Sequence, residues 1–244
     1  MIARLLLPGL LLAGAIAGEC WLSALRRRGV SASVEESAFA ALGGFRSVAA
    51  EIVWFRADRL QDDGRYVELA QLARTLTMME PHTPEVWSYA AWNLAYNVSV
   101  MMATPEDRWR WVYSGLTLLR DDGLRINPES SELYRELAWM FQVKIGANID
   151  SAAATYRRIW RETVDDVAHR GAWGELRMDV ATMDEVERVY GVFDRADPMY
   201  SAVYWAHRGL ACAKGRDASF LREVIRQSLI VIRNGGAKAK GQTA

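Results

Sequence analysis

The chain is poor in the residues that mark metal and redox chemistry. Its 244 residues hold three histidines, His82, His169 and His207, and two cysteines, Cys20 and Cys212. No histidine has a second histidine or a cysteine at metal-ligand spacing, so neither a metal nor a cofactor is expected. Cys20 lies inside an apolar N-terminal segment, which argues against a disulfide framework. Net charge is also missing, because 30 Lys and Arg balance 30 Asp and Glu. A phosphate-binding surface needs a basic excess, so nucleic acid is not an expected partner. Prolines number six, and long alternating runs of β-branched residues are missing, which points to helix. There is no Walker glycine loop, no GxGxxG after a strand and no GxSxG elbow, and no small-molecule ligand is expected.

What is present is a globular composition, 51% apolar and 25% charged, with ten tryptophans. Large aromatics dominate both cores and interfaces by area, so the tryptophans suit either role. The one long apolar run is at the start. Leu5–Gly18 is uninterrupted, Glu19 breaks it, and Cys20–Leu25 resumes it before the Arg26–Arg28 triplet. Residues 5–25 are long enough for a tilted membrane span. Alternatively, the first part is the core of a cleaved signal peptide with Ala15-Ile16-Ala17 as its cleavage site. Residues 1–29 are therefore expected to be a signal anchor or signal peptide, with residues 30–43 as a linker. The Arg triplet favours a cytoplasmic domain by the positive-inside rule, whereas the signal-like start favours the other side.

Two stretches repeat one pattern: "EPHTPEVWSYAAWNL" (Glu80–Leu94) and "NPESSELYRELAWMF" (Asn127–Phe141). In each, an aromatic follows the first proline by six residues, Trp87 in one and Tyr134 in the other. Thr83-Pro84-Glu85 reads as a helix start, with an N-cap, a first-turn proline and an acid. Trp87, Ala90, Ala91, Leu94, Val98 and Met101 then fall at helical steps on one face, as do Tyr134, Leu137, Ala138, Phe141 and Ile145. A further amphipathic segment precedes each proline, Gly64–Pro81 and Gly115–Pro128. The unit is helix, turn, helix, proline.

These residues resemble the tetratricopeptide repeat (TPR). Tyr134-x-x-Leu137-Ala138-x-x-Phe141 and Trp87-x-x-Ala90-Ala91-x-x-Leu94 carry the pattern. An earlier unit runs through Val53, Ala57, Leu60, Gly64 and Tyr66, and a weaker one through Trp205, Arg208, Gly209, Cys212 and Gly215. The resemblance implies an all-α, right-handed solenoid of helical hairpins with degenerate repeats over residues 44–234, followed by a disordered tail at 235–244. Thr104-Pro105-Glu106-Asp107 adds a second strong helix start, and the Arg161–Thr182 region fits no unit. The stretch Gly43–Leu60 also resembles the opening of membrane-anchored bacterial TPR-like proteins. That implies a single-pass protein of the bacterial inner membrane; the signal-like start favours an extracytoplasmic domain, with the cytoplasmic side as the alternative.

In the family, the first helix of each unit lines a concave groove. The resemblance therefore implies a protein- or peptide-binding groove formed by Trp54, Asp58 and Gln61, then Ser88, Trp92 and Tyr96, then Arg135, Trp139 and Gln142. It implies a non-catalytic interaction scaffold. The alternative is a subunit of an enzyme or membrane complex with a site in residues 161–182. Other features are weaker. The Asp107–Tyr113 strip "DRWRWVY" alternates basic and aromatic residues, and its periodicity places Trp109 and Val112 inside with Arg108 outside. Asp62-Asp63, Asp121-Asp122 and Asp165-Asp166 sit near helix ends, where solvated carboxylates are common. Asn97-Val98-Ser99 matches a glycosylation sequon but falls within a helix.

Overall fold

A computed structural model describes the backbone of residues 46–241 and the side chains of residues 50–234. The expected membrane segment and linker lie outside the described residues. Among the described residues there are no strands, and no helix is long and apolar enough to cross a membrane.

The first hairpin is α1 (Arg46–Asp62) and α2 (Tyr66–Met79), joined by a three-residue turn. Next comes α3 (Pro84–Trp92), prolonged by a wide π-helical stretch (Asn93–Val98) and a 3-10 turn (Ser99–Met101). Its partner α4 (Pro105–Thr117) continues through a second π stretch (Leu118–Gly123) to Leu124–Ile126. The third pair is α5 (Ser131–Trp139), with a π stretch at Met140–Gly146, and α6 (Ala153–Arg170). A 3-10 turn (Trp173–Leu176) leads to α7 (Val180–Tyr190), α8 (Pro198–Leu210) and α9 (Gly215–Gly241). The backbone of α9 thus continues into the stretch expected to be a tail.

Helix starts follow from local chemistry. The Thr104 hydroxyl accepts from the Asp107 amide at 3.1 Å and donates to the Asp107 carboxylate at 2.7 Å. Ser130 and Asp197 cap α5 and α8, accepting from the amides of Leu133 and Met199. Each such bond satisfies a backbone donor that the helix leaves open. The two repeated proline turns are also stitched together. The Pro81 carbonyl accepts from both the Trp87 indole and the Asn127 side-chain amide, each at 2.8 Å.

The three hairpins pack in chain order: α2 on α3, α3 on α5, and α4 on α5 and α6. The repeated stripe supplies the seam. Trp87, Ala90, Ala91, Leu94 and Val98 are buried, as are Tyr134, Leu137, Ala138, Phe141 and Ile145. Met101 departs from the expected stripe and is exposed, because α3 ends there in a 3-10 turn at the rim. Small residues permit close approach: a Cβ added at Gly115 of α4 would lie 2.6 Å from the Ala91 carbonyl oxygen of α3. The main core continues into α8, where Tyr200, Tyr204 and Trp205 are fully buried. Helix α8 packs on α5, and α9 packs on both.

Candidate functional site

The nine residues expected to line a groove lie on α1, α3 and α5, and their surroundings differ. On α1, Trp54 meets the Tyr89 ring of α3 with centroids 5.0 Å apart, and Gln61 accepts from the Tyr89 hydroxyl at 3.1 Å. Asp58 is exposed between them in sequence. On α3, Trp92 is 42% exposed and stacks on Tyr96 at 5.7 Å. Ser88 lies one turn earlier, beside the Glu132 carboxyl of α5. Burial raises that carboxyl above its usual range. Glu85 and Glu136 push the same way, while Ser88 and Arg135 oppose them.

The third group is not open, contrary to the expected groove. Helix α9 lies against it. Arg135 donates to Asp217 at 2.8 Å and to Glu136 at 3.0 Å. Trp139 packs on Phe220 at 5.6 Å. The Gln142 side-chain amide donates to the Val224 carbonyl and to the buried Ser228 hydroxyl, at 3.0 and 2.9 Å. Asp217 is held below the ordinary carboxylate range by its bonds to Ser131 and Arg135. The last helix therefore packs on the α5 residues, and among the described residues no later helix packs on Trp92. The same helices carry the acids Asp58 and Glu85, both exposed, and the half-buried Glu132 and Glu136. The Arg135 guanidinium beside Glu136 is already paired.

Just past this face, α5 buries an ion pair that sequence periodicity did not reveal. The Lys144 ammonium meets Asp150 at 2.6 Å and sits over the rings of Tyr96 and Tyr156. Asp150 also accepts from the Tyr156 hydroxyl at 3.1 Å and the Ala152 amide at 2.9 Å. Arg108 is half-buried rather than outward. It donates to the Met102 carbonyl and to Ser151, and lies 3.6 Å from Asp150.

The Arg161–Thr182 region is a packed connector. Trp173, Leu176 and Met178 are buried, Arg161 pairs with Asp194, and Arg170 pairs with both Asp166 and Glu175. A cleft of about 890 Å³ opens beyond it, where the α4–α5 loop, α7 and the end of α8 meet. His207 lies there, with Nδ1 3.3 Å from the Tyr190 hydroxyl and Nε2 3.7 Å from Glu185. The nearby Cys212 thiol is raised by burial and donates to the Gly209 carbonyl. The sequence offered His207 only as an isolated histidine, because its partners come from another helix. Among the described residues no group of three His, Cys, Asp or Glu could hold a metal ion.

No protein-family model matches the chain, and no curated protein or solved structure shows significant similarity to it.

Proposed function

We propose that the protein is a TPR-like helical scaffold whose open α1–α3 face binds a basic segment of another protein bearing apolar side chains. The carrying observation is the contrast along one face. Trp92, 42% exposed, stacks on Tyr96 of its own helix, while Trp139 at the matching position, 37% exposed, packs on Phe220 of the chain's own α9. An exposed tryptophan on a face that also carries the acids Asp58, Glu85 and Glu132 suits an arginine- or lysine-bearing partner, which can pair with the acids and stack on the indole. The stacked hairpins, sealed by small residues, give the face a rigid backing. Residues 5–25 would tether the scaffold to a bacterial inner membrane, with the face presented on the extracytoplasmic side.

The test uses two labelled peptides, one alternating Arg and Leu and the other alternating Glu and Leu, titrated into the full-length protein at low salt. The basic peptide should bind and the acidic one should not. Trp92→Ala and Glu132→Gln should each weaken binding by about tenfold, equivalent to about 1.4 kcal/mol. Equal binding of both peptides, or no change on Trp92→Ala, overturns the proposal. Crosslinking from native membranes then identifies the partner.

A further inference from the structure

The cleft beside α7 and α8 lies outside the proposed protein-binding face and carries its own chemistry. Its most telling residue is Arg208, whose guanidinium lies over the rings of Tyr134 and Trp205, 5.7 Å from each centroid. Stacking on two rings fixes the planar fork without consuming its donors. Among the described residues its one hydrogen bond is a long one, 3.5 Å, to the Arg177 carbonyl, and the Asp179 carboxylate feels its charge without forming an ion pair with it. Among the described residues neither Arg208 nor Lys214, which lies on the same cleft wall, belongs to an ion pair. Most other arginines inside the fold are spoken for: Arg120 by Asp121, Arg135 by Asp217, Arg195 by Glu187. A half-buried, oriented arginine outside any ion pair, on the wall of a concave site, has the geometry to receive an oxyanion.

We propose that this cleft binds a small ligand carrying a carboxylate or phosphate, with Arg208 as the anchor and Lys214 as a second cation at the wall. The volume, about 890 Å³, suits a small molecule. The remaining wall limits its charge. Glu129 and Glu185 face the same space, so a polyanion would be repelled, and one anionic end is what the site accommodates. His207, held between Tyr190 and Glu185, and the Tyr134 ring would meet the ligand's uncharged part.

Calorimetric titration of the full-length protein with inorganic phosphate, and separately with succinate, tests this against potassium chloride at matched ionic strength. Saturable binding of either anion supports the site, and which one binds defines the ligand's chemistry. Arg208→Gln should weaken that binding by about tenfold or more and Lys214→Gln by about threefold. Because Arg208→Gln also removes ring contacts, the wild-type protein supplies a second readout. The bound anion should shield Arg208 from an arginine-selective dicarbonyl reagent, read by mass spectrometry, while leaving exposed Arg222 of α9 unprotected. Saturation by neither anion, equal shielding of both arginines, or unchanged binding in a folded Arg208→Gln variant overturns the proposal.

Discussion

The two copies of the repeated phrase differ on one side only. Facing inward, α3 and α5 are near equivalents. Trp87 and Tyr134 occupy the same place, the stripes behind them are buried, and a π stretch begins six residues after each aromatic, at Asn93 and at Met140. Facing outward, they diverge. Ser88 stands where Arg135 stands, and the tryptophans at the next turn, Trp92 and Trp139, meet different neighbours. Past the outer face, ten residues after the aromatic, the first copy carries Asn97, which donates to Asn93, and the second carries the buried Lys144, which pairs with Asp150. The packing problem between stacked hairpins has one answer, so the inner face repeats. The outer face is set by what covers it, and α9 covers only one copy.

The strongest perturbation of the shared inner face is Phe141→Ala. Phe141 is fully buried and packs on Trp160 at 4.8 Å. Its loss should cost about 3–5 kcal/mol in denaturant unfolding. A loss below about 1 kcal/mol in a folded variant would mean that the seam tolerates a cavity and does not hold the hairpins together.

The ion pair peculiar to the second copy should give a smaller, pH-dependent effect. Burial alone would raise the Asp150 carboxyl. The Lys144 ammonium, the Ala152 amide and the Tyr156 hydroxyl together outweigh burial and hold it below the ordinary range. A carboxyl depressed in the folded state stabilises the fold fully above its unfolded value, about 3.9, and loses that contribution as pH falls through the folded value. Asp150→Asn should therefore be clearly less stable than wild type near neutral pH. The gap should narrow steadily below about pH 4. A gap constant from neutral to acid pH would show that Asp150 acts through its shape and hydrogen bonds, and not through its charge.

The contrast also explains what the sequence could reveal. The inner stripe is periodic, so Trp87, Ala91, Tyr134 and Phe141 announce their burial through spacing alone. The caps at Thr104 and Ser130 are equally local. The cover over α5 has no local sign, because Gln142 and Ser228 lie 86 positions apart. Lys144 was missed for a related reason. A lysine in an amphipathic pattern reads as solvated until a buried acid is found opposite it. The π stretches leave little trace in hydrophobic spacing, and a regular helix extended through one of them puts Met101 on the stripe, where the structure does not. The cleft draws His207, Glu185 and Glu129 from three separate elements, so only the fold brings them together.

The finest test compares one substitution at two matching positions. Trp92 and Trp139 are similarly exposed, 42% and 37%, so loss of burial alone should cost both variants a similar amount on truncation to alanine. Their ring partners differ in consequence. Trp92 stacks on Tyr96 of its own helix, a contact already favoured by helical spacing. Trp139 contacts Phe220 across to α9, so it helps hold a separate element in place. Trp139→Ala should therefore cost about 1 kcal/mol more than Trp92→Ala, the scale of one aromatic pair. It should also speed amide hydrogen exchange along α9, which Trp92→Ala should leave unchanged. Equal stability losses together with unchanged α9 exchange in both variants would mean that α9 is held by its packing on α8 and its hydrogen bonds to α5, without help from Trp139. The two outer faces would then differ in charge and hydrogen bonding and not in their aromatics.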